Sequence, residues 1–297
     1  VANLLQFAPD ETIQAVLAIP NYEVAKYLVL ATRSGKVKKT RLSEYDSPRQ
    51  GGLIAVRLMT DENGETADEL IGANLCNAED DIILVSKHGM SLKFRADDDQ
   101  LRPMGRQTAG VQGMKFRDGD ELLAMDVVWG DSDKDLFVVT NEGFAKRTAL
   151  SEYRLQGRNG FGVKAVQLVE GRGFLVGALV VSEEDQVMAI MTSGKVIRAN
   201  VNEVKRTGRT TQGVTFAKPE KNDEIISIAR NAEAEDEADG ETTTTESSGS
   251  ASSIQPAQGE PVFEVSTEEP SGMPLVTENS EAIERTEESG GEASDEA

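Results

Sequence analysis

The sequence predicts an all-β protein made of propeller-like blades, and three observations predict it. A hairpin-like pattern returns four times, as YLVLATRSGKVKKT, DIILVSKHGMSLKF, DLFVVTNEGFAKRT and DQVMAIMTSGKVIRA, with its glycine at Gly35, Gly89, Gly143 and Gly194. The spacings are 54, 54 and 51 residues, the signature of a repeat architecture. Helical periodicity is nearly absent across the same stretch.

The first element of each repeat is an apolar run of strand length, a polar turn whose glycine supplies positive φ, and a second strand of mixed polarity, which together read as a β-hairpin. A second element keeps the phase as PRQGGLIAV, GRQTAGV, GRNGFGV and GRTTQGV. A third follows as DELIGANL, DELLAMDV, GFLVGALV and DEIISIAR. Each repeat therefore offers about four strands, and four-stranded units in series favour radial blades over a sandwich. The opening VANLLQFAPDETIQAVLAI resembles VQGMKFRDGDELLAMDVV, the closing half of the second repeat, so residue 1 is expected to fall inside a blade. The expected organisation is a domain over 1–230, comprising a blade remnant and four full blades, followed by a tail over 231–297.

Charge divides the chain at the same place. The net charge is −21, yet of 31 Lys and Arg and 52 Asp and Glu, one Arg and 19 acids lie beyond residue 230. The tail, rich in Glu, Asp, Ser, Thr, Gly and Ala, cannot bury enough apolar surface to offset chain entropy, and is expected to be disordered. Its apolar islands, PVFEV at 261–265 and MPLV at 273–276, are expected to stay solvated. As a tethered polyanion it would either compete with any nucleic acid for cations on the folded part or serve only to keep the protein soluble.

Several function classes are excluded. One cysteine, Cys76, in the apolar run LIGANLC, permits no internal disulfide and reads as a core residue. The single histidine, His88, lies in a turn-like KHGM and has no thiol or acid arranged with it for nucleophilic catalysis. DDD at 97–99 and DENGE at 61–65 lack metal-ligand spacing and read as turns, so no metal site is expected. GRGFLVG at 171–177 lacks the strand-to-helix setting of a dinucleotide site, and no carboxylate pair suits a glycosidase. There is no membrane-length apolar run and no signal pattern, which makes a cytoplasmic location the expectation.

What does recur is positive charge. Four residues after each hairpin glycine stand Lys39, Lys93, Arg147 and Arg198. Ahead of the glycine-bearing loops stand Arg49, Arg106, Arg158 and Arg209, and Lys38, Arg41, Arg95, Lys146, Lys205 and Arg206 thicken the same regions. The acids read as out of phase. Blades around an axis would turn these columns into a cationic belt suited to duplex DNA, which carries about one charge per 1.7 Å of axis and would be held through phosphates without base reading. Simple inheritance of solvated charges with the repeat stays open as the alternative, as does a protein-binding propeller. In LQGRNGFGV, residues 155–163, glycines would let backbone N–H groups cradle an anion beside Arg158, or would merely turn the chain.

The repeat pattern, LSEY at 42–45 and again at 150–153, and QGRNGFG at 156–162 resemble the C-terminal domain of the bacterial DNA gyrase A protein, with topoisomerase IV as the near alternative. The resemblance covers residues 1 to about 230 and implies a β-pinwheel that wraps DNA on a basic rim to set crossing handedness for ATP-dependent negative supercoiling. Against the family's Q-R-R-G-G-K-G heptad, Gln156, Arg158, Gly160 and Gly162 match, while Gly157, Asn159 and Phe161 depart and remove two cations. That implies a secondary box of the kind found in actinobacterial members, and a principal one, if the protein has it, would lie upstream. The catalytic tyrosine belongs to a region outside this chain, so none of Tyr22, Tyr27, Tyr45 and Tyr153 takes that role, and no catalytic residue is expected here. No cofactor is expected on this chain. ATP and Mg would act on other parts of the enzyme, and the implied partners are double-stranded DNA, the rest of the gyrase A protein and the gyrase B protein in an A2B2 complex, without a membrane.

Overall fold

The computed structural model describes residues 11–47, 52–64, 66–117, 119–130 and 133–231. The expected tail, with its apolar islands, and the first ten residues of the blade remnant lie outside them. Among the described residues there are fifteen strands and three short 3-10 helices, and no α-helix.

The first sheet takes β1 (Tyr27–Thr32), β2 (Lys36–Arg41) and β3 (Leu70–Cys76) from one repeat. Its fourth strand, β6 (Val111–Gln112), comes from the next repeat, so the order is β3-β1-β2-β6. The second sheet joins β4 (Asp81–Ser86), β5 (Met90–Arg95) and β7 (Leu122–Val128) to β10 (Val163–Lys164). The third joins β8 (Asp135–Thr140), β9 (Phe144–Ala149) and β11 (Leu175–Val181) to β14 (Val214–Thr215). The fourth has β12 (Gln186–Met191), β13 (Val196–Asn200) and β15 (Ile225–Arg230), ordered β13-β12-β15. Four strands per sheet, as the repeats suggest, is therefore right for three sheets, but the fourth strand is handed over from the following repeat. Leu53 and Ile54, the counterpart of that strand in the first repeat, form none.

The core lies between sheets. On β4, Ile82 and Leu84 face a cluster with Val29, Phe94, Leu101 and Met114 of the first interval, whereas Ile83 and Val85 face Leu136, Tyr153 and Leu175 of the second. On β8, Leu136 and Val138 belong to that second cluster, and Phe137 and Val139 to a third with Val187, Val201 and Ile225. Alternate side chains of one strand thus serve two cores, which is why the middle strands read as unbroken apolar runs rather than as an apolar-polar alternation. Strands β3, β7, β11 and β15 pack against one another in series and form the inner edges of the sheets. The handed-over strands form the outer edges.

Candidate nucleic-acid interface

The first cationic column sits on the second strand of each sheet. Lys39 is fully buried: its Nζ donates to the carbonyl of Ala96 at 2.5 Å and to Asp98 at 3.0 Å, and lies 4.3 Å from the centre of the Tyr27 ring. Lys93 is half-buried and donates to the carbonyl of Leu150 at 3.1 Å. Ala96 and Leu150 are equivalent positions in successive repeats, so the same clip recurs. Arg147 is buried against Asp135 and Glu183, each 3.4 Å away, while Arg198 is exposed on β13. Lys39 and Lys93 thus fasten their sheets to the repeat that follows, whereas Arg147 pairs with Asp135 of its own sheet and with Glu183, and the expectation of a uniformly solvent-facing row does not hold for Lys39 and Arg147.

The second column shows a related use. The backbone carbonyl of half-buried Arg106 accepts from Lys38, whose Nζ also donates to Ala55 O at 2.5 Å. In the third sheet Lys146 repeats this, reaching Ala165 O and Arg209 O at 2.5 Å each. The second sheet carries Leu92 at that position, and there the Arg158 guanidinium holds the loop itself, donating to Gln100 O and, at 3.0 Å, to Gln112 O. Arg209 donates from its guanidinium to Lys164 O at 3.3 Å, and its backbone N–H to Glu152 at 3.1 Å. Arg49 lies outside the described residues. Burial pulls the ammonium groups of Lys38 and Lys146 down to about 8, against Glu44 and Glu152, which oppose the fall.

The glycine-rich loops are explained by the strand handover. Gly162 has φ +74°, and a Cβ there would lie 2.2 Å from Ser91 O of the preceding sheet. Gly110 and Gly213 are its counterparts, each close to a second-strand carbonyl. The chain must approach that backbone closely to lay down β6, β10 and β14, and only glycine combines the conformation with the clearance. In the box-like loop, half-buried Gln156 donates its backbone N–H to Lys93 O at 2.8 Å, and Gly160 O accepts from Lys115 N at 2.8 Å.

Acids do recur in phase, contrary to the expectation from sequence. Asp68, Asp120 and Asp223 accept the backbone N–H of Ser34, His88 and Ser193 at the hairpin turns. In the third repeat the roles reverse, and Asn141 accepts from Phe174 N. Neighbouring acids neutralise cations on this turn end: Arg33 pairs with Glu69 and Glu121, and Lys87 with Glu121.

A further column was only partly legible in the sequence. Arg102, Arg154 and Lys205 each follow a buried residue, Leu101, Tyr153 and Val204. All three are exposed, with no side-chain hydrogen bond or ion pair among the described residues. Each precedes a residue that bridges to the second strand of the previous sheet, at Lys39–Pro103, Lys93–Leu155 and Arg147–Arg206. Only Lys205 stood out by charge clustering. The signal for all three was the same self-alignment, read one step past the apolar anchor. Arg57, Lys115 and Lys218 form another exposed row just after the handed-over segments, interrupted by Gln167.

No described His, Cys, Asp and Glu group together as metal ligands. Cys76 is buried, and burial pushes its thiol up to about 12, which suits a core residue and not a nucleophile. Burial also raises the phenols of Tyr45 and Tyr153. No described helix is long and apolar enough to cross a membrane.

These features define a propeller-like repeat scaffold whose sheets are interlocked by exchanged strands and whose outer edges carry phased, unpaired cations. The family model for the DNA gyrase C-terminal domain, beta-propeller, matches residues 26–77, 80–128, 134–182 and 185–231, and the chain belongs to that family. It is 53% identical over 263 residues to the DNA gyrase A protein of Streptomyces coelicolor, covering 88% of this chain and 30% of that protein. It is 50% identical over 238 residues to the gyrase A protein of Mycolicibacterium smegmatis, covering 80% and 27%. The chain thus spans about 30% of the length of these relatives. Its fold matches a DNA topoisomerase IV C-terminal domain at TM-score 0.69 and 25% identity, covering 78% of this chain and 70% of that one. A DNA gyrase A C-terminal domain follows at 0.67 and 24%, covering 77% and 73%.

Proposed function

We propose that this chain binds duplex DNA along the outer edges of its sheets and wraps it, as the C-terminal part of the gyrase A protein of a type II topoisomerase. Bending sets the handedness of a crossing that the rest of the enzyme resolves into negative supercoils, using ATP and magnesium on parts outside this chain. An A2B2 assembly with the gyrase B protein, at the bacterial nucleoid in the cytoplasm, follows from the same reading. The observation that carries it is the recurrence of exposed, unpartnered Arg102, Arg154 and Lys205 at successive sheet junctions. Arg106, Arg158, Arg209 and Arg198 add to the positive edge, with Lys39, Lys93 and Arg147 bracing the strands beneath it. Arg49 belongs to the same column by sequence. Bending a few tens of base pairs costs several kcal/mol, which distributed phosphate contacts offset better than one cluster.

The test is DNA affinity against salt for the 297-residue chain. Replacing Arg102, Arg154 and Lys205 together by Ala removes three phosphate contacts, and the log–log salt slope should shrink by about 2.7, at roughly 0.9 per contact. Replacing Arg33, Lys87 and Lys195, which are paired at the turn end, should leave it nearly unchanged. Equal slopes for wild type and the first variant would overturn the assignment.

A further inference from the structure

Phe161 is 46% exposed at the tip of the box-like loop, where the equivalent residues are Ala109 and Gln212. The tip is held firmly. Asn159 adopts φ +69° and donates its N–H to Gly113 O at 2.6 Å, Gly160 accepts from Lys115, and Gly162 starts the handed-over strand. The ring is therefore presented to solvent by a pinned backbone rather than by a loose one. Around it stand cations: the Arg117 guanidinium is 5.9 Å from the ring centre, exposed Lys115 bonds the neighbouring Gly160 through its backbone, and exposed Lys164 lies three residues on. Phe161, His88, Met90, Lys115, Arg117 and Asp120 line a cavity of about 190 Å³ beside the ring.

A fixed, half-exposed phenyl set among lysines and arginines on an outer edge has the makeup of an apolar wedge flanked by phosphate contacts. We propose that Phe161 inserts at a base step from the minor groove and partly unstacks it, localising a kink at the junction of the second and third sheets while Lys115, Arg117 and Lys164 hold the adjacent phosphates. This rests on the proposed path of DNA over the outer edges.

A wedge favours a step that is already unstacked. The full chain should bind a duplex of about 30 base pairs with one central mismatch about tenfold more tightly than the perfect duplex at equal salt, because the mismatched step is already partly unstacked. A 2-aminopurine beside the mismatch should brighten on binding. Phe161→Ala should lose both the preference and the fluorescence rise while keeping the salt slope, and Phe161→Leu should keep them. Salt-dependent binding without mismatch preference in the wild type, or a preference that survives in Phe161→Ala, overturns the wedge and leaves the wrapping function standing. Absence of salt-dependent duplex binding by the wild type overturns both.

Discussion

Replacing Gly162 by Ala tests whether the handed-over strand is what locks successive sheets together. The residue has φ +74°, which costs an L-residue about 1–2 kcal/mol. Its Cβ would lie 2.2 Å from Ser91 O and 2.7 Å from Ser91 C, both backbone atoms that cannot swing aside. Relief requires β10 to withdraw from β5, and overpacking of this kind adds about 1–3 kcal/mol. The expected loss is about 2–5 kcal/mol, the sum of the two. Gly194 supplies the control, since it has φ +82° but nothing within 4 Å of an added Cβ, so Gly194→Ala should lose only the conformational part, about 1–2 kcal/mol. Urea unfolding of the full chain, followed by circular dichroism and by the single tryptophan, Trp129, gives the two midpoints. Hydrogen exchange at Val163 and Ser91, paired in the β10–β5 ladder, reports whether the strand has let go. Equal losses in the two variants, with exchange at Val163 unchanged, would refute the close-approach argument.

Two other perturbations follow from buried groups. Lys38 and Lys146 have ammonium pKa values lowered by burial from 10.5 to about 8, so between those values the unfolded chain binds more protons and stability should rise with pH from about 8 to 10.5. The Lys38→Met, Lys146→Met double variant should lose that rise, measured as the difference in urea midpoint from wild type at each pH; an unchanged difference would contradict it. Asp126 on β7 accepts from Val180 N at 2.8 Å on β11 and from Asn74 Nδ2 at 3.3 Å on β3, so it staples three inner strands, and burial raises its pKa. Asp126→Ala leaves those donors without their acceptor and should cost about 1–3 kcal/mol at neutral pH, with faster exchange at the Val180 amide.

The repeat was legible in the sequence. The hairpin glycines, the apolar first strands and the phase of the later elements are local properties, set by turn conformation and by strands that must be apolar on both faces, so they could be read from self-alignment. The resemblance in QGRNGFG pointed to the family for the same reason, because the glycine spacing follows from a local backbone demand. The roles of the cations emerge only once the chain is folded. Lys39 and Arg102 look alike as charges in phased columns, yet Lys39 is sealed under the carbonyl of Ala96 from the next repeat while Arg102 stands in solvent. Burial of a long cationic side chain depends on where a distant carbonyl lands, and no property of its own neighbours encodes that. The exchanged strands were hidden for a related reason. Val111–Gln112 is too short to read as a strand, and it becomes one only because Gly110 brings it against Lys36 and Val37 of the preceding repeat, a pairing between residues more than 70 positions apart that no local pattern announces.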